Sequence, residues 1–305
     1  MKAQDKLALK RWEEYHKSFT ADMPVEEFSS RREIDARRAK LEADPIEWIK
    51  YFFPKYAKYE SADFQKRAVR RIIKHDEWYE VLSWSRELAK STTAMFIIMY
   101  LALTGKKKFC ALASATETAA IRLLTPFKIN FESNPRIRQF YGSQPVLGQW
   151  TDKEFSCRCG AKFFALGAGS APRGARNEAI RPDIIYMDDF DTDEDCRNPE
   201  TLKKKWDWFE NALYPTRSIS EPTLILWCGN IIAKDCCITR AGERAKHWDI
   251  VNIRDKDGHS TWPQKNTEEM IDTVLSNISK HAQQAEYFNN PVSEGTIFHN
   301  LPFGK

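Results

Sequence analysis

Short apolar runs separated by helical stretches constrain this chain more than any other feature. Glu80 to Trp84 (EVLSW), Lys108 to Ser114 (KFCALAS), Lys162 to Leu166 (KFFAL), Ile184 to Met187 (IIYM) and Thr223 to Trp227 (TLILW) read as strands. Most lack the alternation of a sheet with one face in water, as strands buried on both faces do. Phe64 to Lys74, Lys90 to Leu103, Thr116 to Leu124 and Glu200 to Leu213 read as helices between and around them. Strands alternating with helices predict an α/β chain with a mainly parallel sheet flanked by helices. In such sheets a ligand sits at the carboxyl ends of the strands. The informative residues are therefore those that follow Trp84, Met187 and Trp227.

A chain of 305 residues with 42% hydrophobic and 30% charged side chains can bury a substantial core, which excludes wholesale disorder. The best apolar run, Ala94 to Leu103, is too short to span a bilayer, and no membrane role is expected. The charged opening MKAQDKLALKRWEEY has no apolar segment of the signal-peptide kind. A net charge of +4 permits a nucleic-acid partner without demanding one. The seven cysteines lack framework spacing, so reduced thiols are expected. Residues 1–55 read as a helical N-terminal extension. Eleven basic and eleven acidic residues among its first fifty make it mixed in sign and not a basic arm.

Ser85-Arg86-Glu87-Leu88-Ala89-Lys90-Ser91-Thr92 follows the first strand and opens a helix. A phosphate-binding loop needs backbone N–H groups directed at the ligand, a lysine for the β- and γ-phosphates, and a hydroxyl for Mg2+. Lys90 and Ser91 have the right order and place. Trp84 and Ala89 stand where the pattern GxxxxGK has its glycines, so this stretch alone reads equally as a basic turn capped by Ser85. After the fourth strand come Asp188-Asp189-Phe190-Asp191. Paired acids at a strand tip suit a water-mediated hold on Mg2+ by Asp188 and activation of an attacking water by Asp189. A solvated acidic loop is the alternative, since residues 183–195 hold seven acids and no base. The pairing of the two elements, 98 positions apart, favours the functional reading.

Gly229-Asn230 ends the fifth strand, where an amide can lie beside a γ-phosphate; Gly-Asn is also an ordinary turn pair. Phe64-Gln65 opens a helix upstream, and a carboxamide beside an aromatic ring suits adenine, although most such pairs only pack. The small, basic stretch from Gly167 to Arg176 reads as a loop in which Arg173 or Arg176 can stabilise charge on a phosphate. Two other sets carry no metal expectation. Asp189, Asp191, Asp193 and Glu200 match four positions of an EF-hand, but Glu194 replaces the turn glycine and a strand precedes them. Cys157 and Cys159 make half of a zinc knuckle with no second pair at ligand spacing.

Together these segments resemble the large terminase subunit of tailed bacteriophages, the DNA-packaging motor, over about residues 45 to 300. The family's Walker A form Ser-Arg-x-x-Gly-Lys-Ser/Thr is matched by Ser85 to Ser91, with Ala89 as the departure. Ala113 to Glu117 (ASATE) matches the segment after the second strand; Arg173-Gly174 and then Arg181-Pro182-Asp183 lead to the Walker B strand and Asp188-Asp189. Gly229-Asn230 matches the coupling element, and Gln284 to Pro291 (QAEYFNNP) the segment that closes the ATPase domain.

The resemblance implies a P-loop NTPase fold of the RecA/ASCE type, with an ATPase core over residues 56–300. Residues 301–305 would begin a linker to a nuclease domain absent from this chain, so nuclease activity is not expected here. It implies ATP and Mg2+ as cofactors, with Phe64, Gln65 and Ser85 to Thr92 around the nucleotide. Lys90 and Arg86 would contact phosphate, Ser91 Mg2+ with Asp188 behind it, and Asp189 the water, in place of the glutamate that many members have. Arg173 or Arg176 would act as a finger toward a neighbouring subunit. The implied partners are double-stranded DNA, the portal protein, the small terminase subunit and further copies in a ring on the capsid, with a monomer in solution. The implied setting is the host cytoplasm during phage assembly. Two alternatives remain: a helicase-like remodeller, which usually needs two core domains, and a DNA- or capsid-binding module with a decayed nucleotide site, motivated by Trp84 and Ala89.

Overall fold

The computed structural model describes residues 23–172 and 180–292. The expected linker at 301–305 and the start of the N-terminal extension lie outside them. Helices α1 (Arg31–Ala43), α2 (Pro45–Phe52) and α3 (Asp63–Lys74) precede strand β1 (Trp78–Trp84) and helix α4 (Lys90–Leu103). Next come β2 (Phe109–Ser114), α5 (Glu117–Ser133), α6 (Pro135–Tyr141), β3 (Pro145–Trp150), β4 (Glu154–Cys157), β5 (Lys162–Gly167) and β6 (Ile184–Asp188). Helix α7 (Asp193–Arg197) leads to α8 (Pro199–Trp208), which continues as a π turn over Phe209–Leu213. The order closes with β7 (Leu224–Cys228), α9 (Cys237–Arg244), β8 (His247–Val251), α10 (Glu268–Ser276) and α11 (Lys280–Tyr287). No described helix is long and apolar enough to cross a membrane.

The eight strands form one sheet in the order β3-β4-β5-β2-β6-β7-β1-β8. From β5 to β8 every pairing is parallel, while β3 and β4 add an antiparallel hairpin at one edge. Successive strand residues point to opposite faces, and here both faces are covered. Leu82, Ile184, Tyr186, Leu224 and Leu226 enter the core shared with α2, α3 and α4. Val81, Ile185, Met187, Ile225 and Trp227 enter the core under α8 and α9. That division is why the strands read as unbroken apolar runs. It also explains α4, which is apolar all round and buried from Thr93 to Leu103.

The α1–α2 region packs on the same core: Trp48 is fully buried and meets Tyr100 of α4 edge-on at 5.2 Å. Asp44 caps α2 by accepting from the Ile46 N–H at 3.0 Å, with Pro45 in the first turn, where its missing N–H costs nothing.

Helix α5, strand β8 and the β3–β4 hairpin are among the elements that differ from the sequence expectation. Helix α5 runs past Leu124 to Ser133 with Pro126 inside it. The lost backbone bond is offset by Phe127 and Phe131, which pack on Phe163 at 5.7 and 5.3 Å. Strand β8 was not expected, because a half-exposed edge strand (HWDIV) carries no continuous apolar run. The β3–β4 hairpin is missed for the same reason, since β3 is largely exposed.

The sheet order places β7 between β1 and β6. Cys228 of β7 is opposite Leu82 of β1 on one side and Asp188 of β6 on the other. The tips of the three singled-out strands therefore lie side by side on one rim.

Candidate functional site

The loop after β1 turns through two left-handed residues, Glu87 at φ 69° and Ala89 at φ 59°. Ala89 is the N-cap of α4, with ψ 37°. The first N–H groups of any helix lack intrahelical partners and carry the positive end of its dipole, which together suit an anion. A left-handed conformation costs an L-residue other than glycine about 1–2 kcal/mol. The glycine of the family pattern is thus explained by backbone geometry, and alanine holds the conformation under strain. Ala89→Gly is expected to stabilise the protein by about 0.5–1 kcal/mol after the entropy cost of glycine, raising Tm by about 1–3 °C. Calorimetry that finds a lower Tm would remove the strain assignment.

Residues far away in the chain hold this loop. The Ser85 N–H donates to the Val251 carbonyl at 2.8 Å. Lys265 Nζ donates to the Glu87 carbonyl at 2.8 Å and pairs with its carboxylate at 2.7 Å. Gln65 Nε2 donates to the Leu88 carbonyl at 3.0 Å, while its Oε1 accepts from the Ala62 N–H at 2.8 Å. Phe64 is buried edge-on against Trp84 at 4.8 Å. Phe64 and Gln65, expected at an adenine ring, have these other partners and brace the loop. The reason is local: Gln65 sits at the N3 position of α3, where its side chain reaches back to the cap. Gln65 and Thr92 do border a small cavity of about 40 Å³, with Tyr56, Ala89 and Trp262.

A cleft of about 320 Å³ opens at the rim, lined by Arg86, Lys90, Asp189, Gly229, Asn230 and Glu286 among others. Lys90 Nζ donates to Asn230 Oδ1 at 2.7 Å, a bond spanning 140 positions of chain. Gly229 packs closely: a Cβ there would lie 2.7 Å from Ile238 Cδ1, the far end of a side chain that would have to shift. Asp188, the last residue of β6, is fully buried. Burial first, and then the Asp189 charge, push its carboxyl up to about 7, against the Tyr186 and Ser91 hydroxyls and the Lys90 ammonium. The Tyr186 hydroxyl donates to Asp188 Oδ2, while Oδ1 has no hydrogen-bond partner. An orphaned buried carboxylate oxygen near a serine hydroxyl fits a hard divalent cation, which prefers oxygen ligands. Asp189 follows at φ 42°, tolerated by aspartate, with its backbone N–H on the Cys228 carbonyl at 3.1 Å. Its side chain is exposed at the strand tip.

Three other acids of this run have structural partners. Asp183 accepts from the Lys108 and Phe109 N–H groups at 2.8 and 2.7 Å. Asp191 caps α9 through the Cys237 and Ile238 N–H groups, both at 2.9 Å. Asp195 pairs with Lys205 at 2.6 Å. The run is therefore not simply a solvated loop: Asp189, Asp191 and Asp193 line the cleft, and Asp188 is buried beside Asp189. Arg173 and Arg176 lie outside the described residues.

Two residues of the site make contacts that the sequence did not signal. Lys265 is 178 positions from its loop partner Glu87, and Glu286 is 200 positions from Arg86. Neither lies in a motif that names its contact. Asn289 lies within the segment from Gln284 to Pro291, which the resemblance places at the close of the domain. Its Oδ1 accepts from the Ile231 N–H at 3.1 Å and its Nδ2 donates to the Ser83 carbonyl at 2.9 Å, tying this end to β1 and the loop after β7.

No protein-family model and no curated protein matches the chain. Solved structures do. The large terminase of bacteriophage HK97 is similar with a TM-score of 0.58 and 13% identity over 82% of this chain, which spans 55% of that protein's length. The ATPase domain of the large terminase of Thermus phage P74-26 is similar with a TM-score of 0.51 and 14% identity, over 80% of this chain and 98% of that one. The chain thus shares the fold of these two structures, a mainly parallel α/β sheet flanked by helices, as the strand pattern predicts.

Proposed function

We propose that this chain is the ATPase motor domain of a phage large terminase, which hydrolyses ATP to drive double-stranded DNA into a capsid. One observation carries the reading: Lys90, Ser91, Asp188, Asp189 and Asn230, from three strand tips, meet at one rim. Phosphoryl transfer needs mainly positioning and charge stabilisation, and rigid strand ends supply positioning. Lys90 exchanges Asn230 for the β- and γ-phosphate oxygens. Ser91 and the orphaned oxygen of Asp188 are the residues that would hold Mg2+. When bound, Mg2+ neutralises charge on the phosphate oxygens. Asp189 orients the attacking water and takes its proton. Arg86 contacts phosphate from the loop. Arg173 or Arg176 reaches a neighbouring subunit in a ring, and the portal and small subunit are the further partners of this reading.

The purified chain is expected to hydrolyse ATP only with Mg2+, and faster with duplex DNA. The sign of its pH dependence follows from Asp188. Below about 7 its carboxyl is protonated and attracts Mg2+ poorly; above, it is ionised. The Mg2+ concentration for half-maximal rate should therefore be higher at about pH 6 than at about pH 8. Absence of nucleotide binding at millimolar ATP and Mg2+ would sink the motor reading in favour of a binding module with a decayed site. Unwinding of a forked duplex would instead favour a helicase.

A further inference from the structure

We infer that Glu286 is an internal competitor for the phosphate-binding groups, displaced when the triphosphate enters and so linking occupancy to helix α11. This inference rests on the nucleotide reading of the cleft.

Residue 286 takes hold of the loop twice. Its carbonyl accepts from the Arg86 N–H at 3.0 Å, and its carboxylate accepts from the Arg86 guanidinium. A backbone N–H and a guanidinium in the loop leading into α4 are two kinds of donor that a phosphate uses. The same residue also holds Asn230, whose Nδ2 donates to the Glu286 carbonyl at 2.8 Å and to its carboxylate at 3.1 Å. Asn230 Oδ1 in turn accepts from Lys90. The polar groups of the cleft thus form one chain, Lys90 to Asn230 to Glu286 to Arg86, with the carboxylate where an anion would go.

Charge makes the arrangement exclusive. The cleft must admit a triphosphate, with Asp189 already lining it and Asp188 buried beside Asp189. Those two carboxylates have tasks toward a cation and a water; Glu286 faces only donors. A triphosphate beside its carboxylate places like charges in contact, while the phosphate oxygens satisfy Arg86 and Lys90 in its stead. Glu286 lies one residue from the end of α11 (Lys280–Tyr287), and Asn289 anchors the chain just beyond. Breaking the Glu286 contacts removes one hold on the last turn of α11, while the Tyr287 carbonyl keeps the Ile253 N–H at 3.0 Å and the Asn289 anchor remains, so α11 loosens at Glu286. The carboxylate thereby sets affinity and passes occupancy to the end of the domain.

The test measures a fluorescent ATP analogue with Mg2+ on the full chain, comparing wild type, Glu286→Ala, Glu286→Gln and Lys90→Ala. Amide hydrogen exchange over residues 280–287 is followed with and without a slowly hydrolysed ATP analogue. Both Glu286 variants are expected to bind nucleotide about tenfold more tightly, the scale of one charge-assisted interaction. Exchange over 280–287 should rise on nucleotide binding in wild type and be high already in Glu286→Ala. The glutamine variant keeps the size and hydrogen-bonding groups, so it reports on the charge should the alanine variant unfold. Unchanged or weaker affinity in the glutamine variant overturns the inference, as does exchange in wild type that ignores nucleotide. Wild type that binds no nucleotide, like Lys90→Ala, overturns the nucleotide reading and this inference with it.

Discussion

Lys90→Ala should lower ATP turnover by about 1,000-fold or more, the scale set by removing a cation that stabilises the phosphoryl-transfer transition state. The variant should remain folded. Lys90 is half-buried, and its recorded bond is to Asn230 at a solvent-open cleft, so truncation costs about 1 kcal/mol or less. Steady-state turnover measured beside a thermal melt separates the two effects. Turnover near the wild-type rate in a folded variant would show that the lysine after β1 does not serve the phosphates, and the motor reading would fall with it.

Asp189→Asn should lower kcat by about 100- to 1,000-fold and leave nucleotide affinity within about threefold of wild type. The geometry separates this acid from its neighbour. Asp188 is buried, bonded to Tyr186 and raised to about 7, so its oxygen suits a cation. Asp189 is exposed at the tip, turned off the strand by its left-handed backbone, and an amide in its place cannot accept a proton. Duplex DNA should not restore the rate, because stimulation acts on a step that this side chain must still perform. A KM increase with unchanged kcat would assign Asp189 to binding and remove it from the chemistry.

The two carboxylates illustrate what was legible before any coordinates. An apolar run of four or five residues ending in acids announces a buried strand and its tip, because burial on both faces leaves no room for alternation. The location rule for parallel sheets then selects Lys90, Asp188, Asp189, Gly229 and Asn230. Ala89 was legible as a departure, and its φ of 59° shows why glycine belongs there. Phe64 and Gln65 were legible less sharply, because a carboxamide can serve a base or a backbone equally well, and here the Ala62 N–H and the Leu88 carbonyl hold it.

The chain's own pattern decided which segments are strands, which faces are buried and which residues stand at the tips. Those properties depend on neighbours a few positions apart, where side-chain periodicity leaves a mark. Tertiary structure alone decided that β7 enters between β1 and β6, that Asn230 bridges Lys90 and Glu286, and that Lys265 and Gln65 grip the loop from outside. Such contacts join polar atoms as much as 206 residues apart through the packing of whole elements, and a linear sequence carries no periodic trace of them.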